Sequence, residues 1–139
     1  MIKVDASEVG LFADQLKGLP KALQRTLRPK IKAAASEVAQ EIRSQASWSS
    51  RIPGAVRQRT SFGGGKRGGV QISVDARKAP HARVHEFPNR GAMIRHRVFG
   101  RDTWVEQPAR PFFFRAVRNK EAAVVAKVQA AIDEALRTL

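Results

Sequence analysis

His81 and His85 stand four residues apart with Glu86 directly after them, the densest group of chemistry-bearing side chains in the chain. On a helix that spacing would bring both imidazoles to one face, the geometry in which paired histidines hold zinc. Here the segment reads as a strand, where the two rings share a face at wider separation. Only two ligands are evident and the chain has no cysteine, so the pattern predicts surface or interface histidines and no metal centre. The serines fall mainly in loop-like stretches, with no Gly-x-Ser-x-Gly elbow and no paired acid and base beside them. Lys66 follows a run of glycines, but the spacing of a Walker loop is missing and no Ser or Thr follows it to hold magnesium. Asp75, Glu86, Asp102 and Glu106 lie among arginines and read as their ion-pair partners. The expectation is therefore a protein that is not an enzyme, with no catalytic residues and no cofactor.

Charge is the second chemical signal. The formal net charge of +14 is unevenly placed: +3 over residues 1–47, +11 over 48–118 and zero over 119–139. A basic middle section suits phosphate or an acidic protein, and arginine's planar fork makes bidentate contacts with either. The candidate partner-facing or DNA-facing cations are Arg51, Arg57, Arg59, Lys66, Arg67, Arg95 and Arg97. Zinc-finger spacing and the aromatic motif of ribonucleoprotein domains are both missing, which disfavours sequence-specific recognition and leaves non-specific phosphate contact open.

The elements that position these residues follow from periodicity. With 139 residues the chain fits a single domain spanning 1–139. No apolar run approaches the roughly 18–20 residues that span a bilayer, and the first residues lack a secretory pattern, so a soluble product without membrane contact is expected. Ser7 can cap a short helix over Val9, Phe12, Leu16 and Leu19. A long helix follows, with Leu23, Leu27, Ile31, Ala34, Val38, Ile42 and Ala46 on one stripe and a kink or break expected at Pro29. Periodicity disappears over 47–69, which reads as a long, basic, Gly-rich loop. Val70, Ile72 and Val74 alternate as a half-buried strand; a second strand is expected over 82–87, and residues 94–105 read as a strand, a turn and a returning strand. Val117, Val124, Val128, Ala131 and Ala135 trace a terminal helix. The implied class is α+β, a small twisted antiparallel sheet packed against a long N-terminal and a C-terminal helix.

Residues 107–117, Gln-Pro-Ala-Arg-Pro-Phe-Phe-Phe-Arg-Ala-Val, bring the chain into that last helix. Pro108 and Pro111 bias the approach toward an extended strap. If the strap stays extended, Phe112 and Phe114 point one way and Phe113 the other, so at least one ring leaves the main core side. A second layer of the domain or a neighbouring subunit would cover it. Trp104, Phe99 or Phe113 on the sheet's outer face would likewise make that face sticky, so Phe112, Phe113, Phe114, Pro108, Pro111, Trp104, Glu86 and Phe87 are the candidate interface or docking residues.

In their order along the chain, the Ala-rich helix, the basic Gly-rich loop, Ala82-Arg83-Val84-His85-Glu86-Phe87 and Pro108-Ala109-Arg110-Pro111-Phe112 before a final helix resemble the HK97 gp10-like tail-component family of bacteriophages. That family carries a Tyr-Ala-x-x-x-Glu-Phe-Gly element, then Pro-x-Pro-Phe-x-x-Pro-Ala, then a C-terminal helix. His81 takes the tyrosine position; Ala82, Glu86 and Phe87 match; Pro88 replaces the glycine and Arg115 the last proline. The resemblance implies a structural virion protein of the neck or tail, acting in tail completion or head-tail joining. Its implied partners are copies of itself in a six-fold ring around the DNA channel, the tail tube, and tail-terminator or head-closure proteins. In that setting the basic section could meet acidic neighbouring rings or genomic DNA. Protein contacts are favoured, because a strongly phosphate-binding lumen would retard the genome. The alternative is a free, non-specific nucleic-acid-binding protein.

Overall fold

The computed structural model describes residues 2–4, 21–61, 69–88, 91–98 and 100–137. In chain order the elements are β1 (Ile2–Val4), α1 (Lys21–Gln45), α2 (Ile52–Ala55), β2 (Val56–Ser61), β3 (Gly69–Val74), α3 (Ala82–Glu86), β4 (Met93–Arg97), β5 (Trp104–Pro108) and α4 (Phe113–Arg137). The fold is α+β. Its strands form two antiparallel sheets among the described residues, a three-stranded one ordered β1-β3-β2 and the separate β4–β5 hairpin. A single sheet was the expectation. The short helix over residues 7–19 lies outside the described residues.

The apolar stripe of α1 is buried throughout, from Leu23 and Leu27 to Val38 and Ile42. It meets Val56, Val70, Ile72 and Val74 of the three-stranded sheet on one side and Val128, Ala131 and Ala135 of α4 on another, forming one core cluster. Small residues on both helices, Ala34, Ala39, Ala131 and Ala135, let the helices approach closely. Lys30 pairs with Glu134, and Glu37 with Lys127. Numbers rise along one helix as they fall along the other, so α1 and α4 run antiparallel. Each step is two helical turns, which puts both pairs along one seam. Sliding α4 by two turns would oppose Lys30 to Lys127, or Glu37 to Glu134, so the charges favour the observed register.

Pro29 neither breaks α1 nor divides it; the helix runs continuously past it. The proline and Arg25, whose carbonyl loses its helical donor there, are both exposed, so water can satisfy the freed group.

Three other expectations are corrected. Residues 82–86 form the short helix α3, not a strand: Phe87 N–H donates to Arg83 O at 2.8 Å, and the buried positions Ala82 and His85 are three apart, a helical spacing. The supposed loop 47–69 contains two regular elements, α2 and β2, over Ile52–Ala55 and Val56–Ser61. Strand β2 escaped notice because two of its inward positions are polar. Gln58 faces α1 and is satisfied there, accepting from Ser36 Oγ at 3.0 Å and donating to Lys32 O at 3.1 Å. Finally, the phenylalanine run is not an extended strap, since α4 begins at Phe113. Phe112 and Phe113 are both fully buried in the single chain and Phe114 is half-buried, so helical rotation, not strand alternation, sets where the rings go. The outer face of the three-stranded sheet is polar, with Arg57 and Arg59 of β2 beside Ser73 and Gln71 of β3. Two of the aromatics proposed for that face are elsewhere, Phe113 in the core and Trp104 on the hairpin, while Phe99 lies outside the described residues.

Candidate assembly surfaces

The residues of the His81–Phe87 element and the Pro108–Phe114 element do converge, and Glu86 is the reason. Its Oε2 accepts from the backbone N–H of Phe112 at 2.9 Å and of Phe113 at 3.0 Å, and its Oε1 accepts from Phe114 N–H at 3.1 Å. These are donors that the first turn of a helix leaves without intrahelical partners. A carboxylate from α3 thus caps α4 from 26 residues upstream, favoured further by the positive end of the helix dipole. Glu86, expected as a docking residue, is a structural brace.

His85 holds the chain just before the cap. Its Nδ1 accepts Arg110 N–H at 3.1 Å, its ring lies 4.6 Å from Trp48 in an edge contact, and the Arg110 guanidinium sits 5.4 Å over Trp48. Burial first, then the neighbouring positive charges of His81 and Arg110, hold His85 below the ordinary imidazole value of 6.5. The neutral ring is the form this site requires, because protonated Nδ1 could no longer accept from Arg110.

His81 turns elsewhere. Its Nε2 is 3.2 Å from Ser49 Oγ, and that oxygen also accepts from the N–H groups of Arg51 and Ile52, both at 3.2 Å. The serine therefore caps the approach to α2. Neither Trp48 nor Ser49 stands out in the sequence, because Ser49 lies three residues before Ile52 and not at the position next to the helix. Among the described residues no group of three or more His, Cys, Asp or Glu side chains is arranged to hold a metal.

Hairpin β4–β5 is the opposite kind of structure. Every residue of β5 is exposed, including Trp104 at 56%, and Ile94 is the hairpin's one buried side chain among those described, lying outside the main core cluster. Register pairs Arg97 with Trp104 and Arg95 with Glu106, so Arg95, Arg97 and Trp104 share one face. The Arg95 guanidinium lies 5.3 Å over the indole. Arg97 pairs with Asp102 and donates from Nε to Arg101 O at 2.8 Å, bracing a turn in which Gly100 adopts φ 75°. That conformation suits glycine.

A smaller apolar patch sits on α3 and the start of α4. Phe87 is 54% exposed, stacks edge-on against Phe114 at 5.9 Å, and lies near Val84, also exposed. Of the eight proposed docking residues, Trp104, Phe87 and Pro108 are exposed and Pro111 and Phe114 half-buried, whereas Phe112, Phe113 and Glu86 belong to the interior brace. The proposed cations that are described fall on separate elements. Arg57 and Arg59 lie on the outer sheet face, Arg95 and Arg97 on the hairpin and Arg51 before α2, while Lys66 and Arg67 lie outside the described residues. Comparison with protein-family models, curated proteins and solved structures finds no match.

Proposed function

We propose that this chain is a structural component of a bacteriophage neck or tail, acting in tail completion or head-tail joining as a ring around the DNA channel. The resemblance of its paired motifs supplies the setting, and the β4–β5 hairpin supplies the observation that carries the reading. A two-stranded hairpin is marginally stable by itself in water. This one presents Trp104 and Val105 to solvent, with one buried anchor, Ile94, among its described side chains.

The molecule also carries a second, dissimilar apolar patch at Val84 and Phe87. Two different sticky surfaces favour a heterologous contact, hairpin of one copy onto the α3 patch of the next, and such contacts close into rings when the rotation permits. Burying an indole and a phenyl ring at the centre of a contact is the usual source of its affinity. Docking, not catalysis, is then the mechanism: ring neighbours take these two surfaces, and tail-tube and head-closure proteins meet the layers above and below.

Sedimentation of the purified chain, alone and with tail-tube and head-closure proteins, tests this. Closed oligomers are expected, reduced to monomers by Trp104→Glu with the melting temperature of the single chain unchanged. A monomer in every mixture overturns the reading.

A further inference from the structure

The outer face of the three-stranded sheet has a chemistry unlike that of either apolar patch. Strand β2 presents Arg57 and Arg59, β3 presents Gln71 and Ser73 beside them in register, and the turn after β3 adds Arg77 and Lys78, both exposed. Among the described residues the acid at this end is Asp75, and its charge is already engaged. It is buried, accepts from Arg77 N–H at 2.9 Å, and pairs with the Arg57 guanidinium at 2.8 Å. The bond from Arg77 N–H, with the charges of Arg57, Arg77 and Lys78, keeps its carboxyl below the usual 3.8. Among the described residues, four cations against one internal carboxylate leave a surplus of positive charge on exposed side chains.

We infer that this outer face binds the phosphate backbone of duplex nucleic acid without reading its sequence. Charge complementarity requires an anionic occupant, and the composition of the face selects among anions. Protein interfaces draw their affinity from buried aromatic and apolar anchors. None of the described side chains that β2 and β3 place on this face is apolar. Nucleic-acid interfaces are polar and strongly positive, and their phosphate contacts come from Arg and Lys together with Ser and Gln, the residue types present here. A second copy pairing through the edge of β2 is disfavoured, because it would bring Arg57 and Arg59 against their own counterparts. This inference does not depend on ring formation, and a monomer would bind through the same face.

The test is fluorescence anisotropy of a short mixed-sequence duplex titrated with the full chain between about 50 and 200 mM salt. With four cations engaged, log K should fall against log salt with a slope near −3.6, since each neutralised phosphate contributes about 0.9. Arg59→Gln, Arg77→Gln and Lys78→Gln combined leave the Arg57–Asp75 pair intact and should bring the slope to about −1. A control removes equal charge from α4, which packs on α1 and not on this face: Arg115→Gln, Arg118→Gln and Arg137→Gln. It should keep the parent slope. Equal losses in both triple variants would reduce the effect to bulk charge and overturn the assignment. So would failure to bind duplex at about 50 mM salt, or binding of polyglutamate in preference to duplex, which would point to an acidic protein. Sedimentation reads ring formation separately, so either idea can fail alone.

Discussion

Residues 104–108 and 112–114 are neighbours in sequence and opposites in structure. The first stretch, β5, is exposed along its whole length with an indole in solvent; the second places Phe112 and Phe113 where no solvent reaches. Hydrophobicity does not separate them. What does is a partner for the backbone. At 112–114 three N–H groups would be stranded by burial, and Glu86 accepts all three, so the rings can sink into the core with α4. At β5 the pairing shown is with β4, and the strand stays outside with its indole. A polar group elsewhere in the chain thus decides which aromatics become core.

That contrast can be broken most forcefully at the rings. Phe113→Ala should destabilise the chain by about 3–5 kcal/mol, and Trp104→Ala by no more than about 0.5 kcal/mol, in urea unfolding of the monomeric state. Similar losses at both sites would mean that the hairpin is as structural as the brace. Next in size is the cap itself. Glu86→Ala leaves three helix-start donors unanswered and should cost about 1–3 kcal/mol, with Glu86→Gln losing less because one carbonyl oxygen can still accept. If Glu86→Ala unfolds at the parent urea concentration, the explanation for the buried rings is wrong.

A pH titration sharpens the comparison more gently. His85 has its value lowered on folding, so between the folded value and 6.5 the unfolded chain binds more protons. The stability tied to its neutral ring is complete above 6.5 and declines as pH falls from there toward the folded value. Melting curves should show this decline, and His85→Asn, which can still accept from Arg110, should remove it. A parent and variant with identical pH profiles in that window would dismiss the histidine's role. Smallest of all are the exposed pairs between α1 and α4. Glu37→Gln with Glu134→Gln should scarcely move the melting temperature, and added salt should erase what difference there is.

The long elements were legible because their periods are long. Seven turns of α1 and of α4 repeat the apolar stripe often enough to survive Pro29, and β3 alternates cleanly from Val70 to Val74. Five residues cannot display a helical period, so α3 passed for a strand. Strand β2 hid for a different reason: Gln58 and Thr60 stand where apolar residues would betray a buried face, and only α1, across the core, supplies Gln58's partners. The two motifs of the candidate site were recognisable as motifs, yet their joint purpose was not. Nothing local to Phe112 announces that its amide will find a carboxylate 26 residues earlier.

The same carboxylate has a bearing on where foreign anions can go. Helix starts are ordinarily attractive seats for phosphate, because their free amides and dipole both invite negative charge. Glu86 already occupies the seat at α4. An anion approaching the start of α4 therefore meets a carboxylate already seated on its free amides and is turned away by an internal tenant.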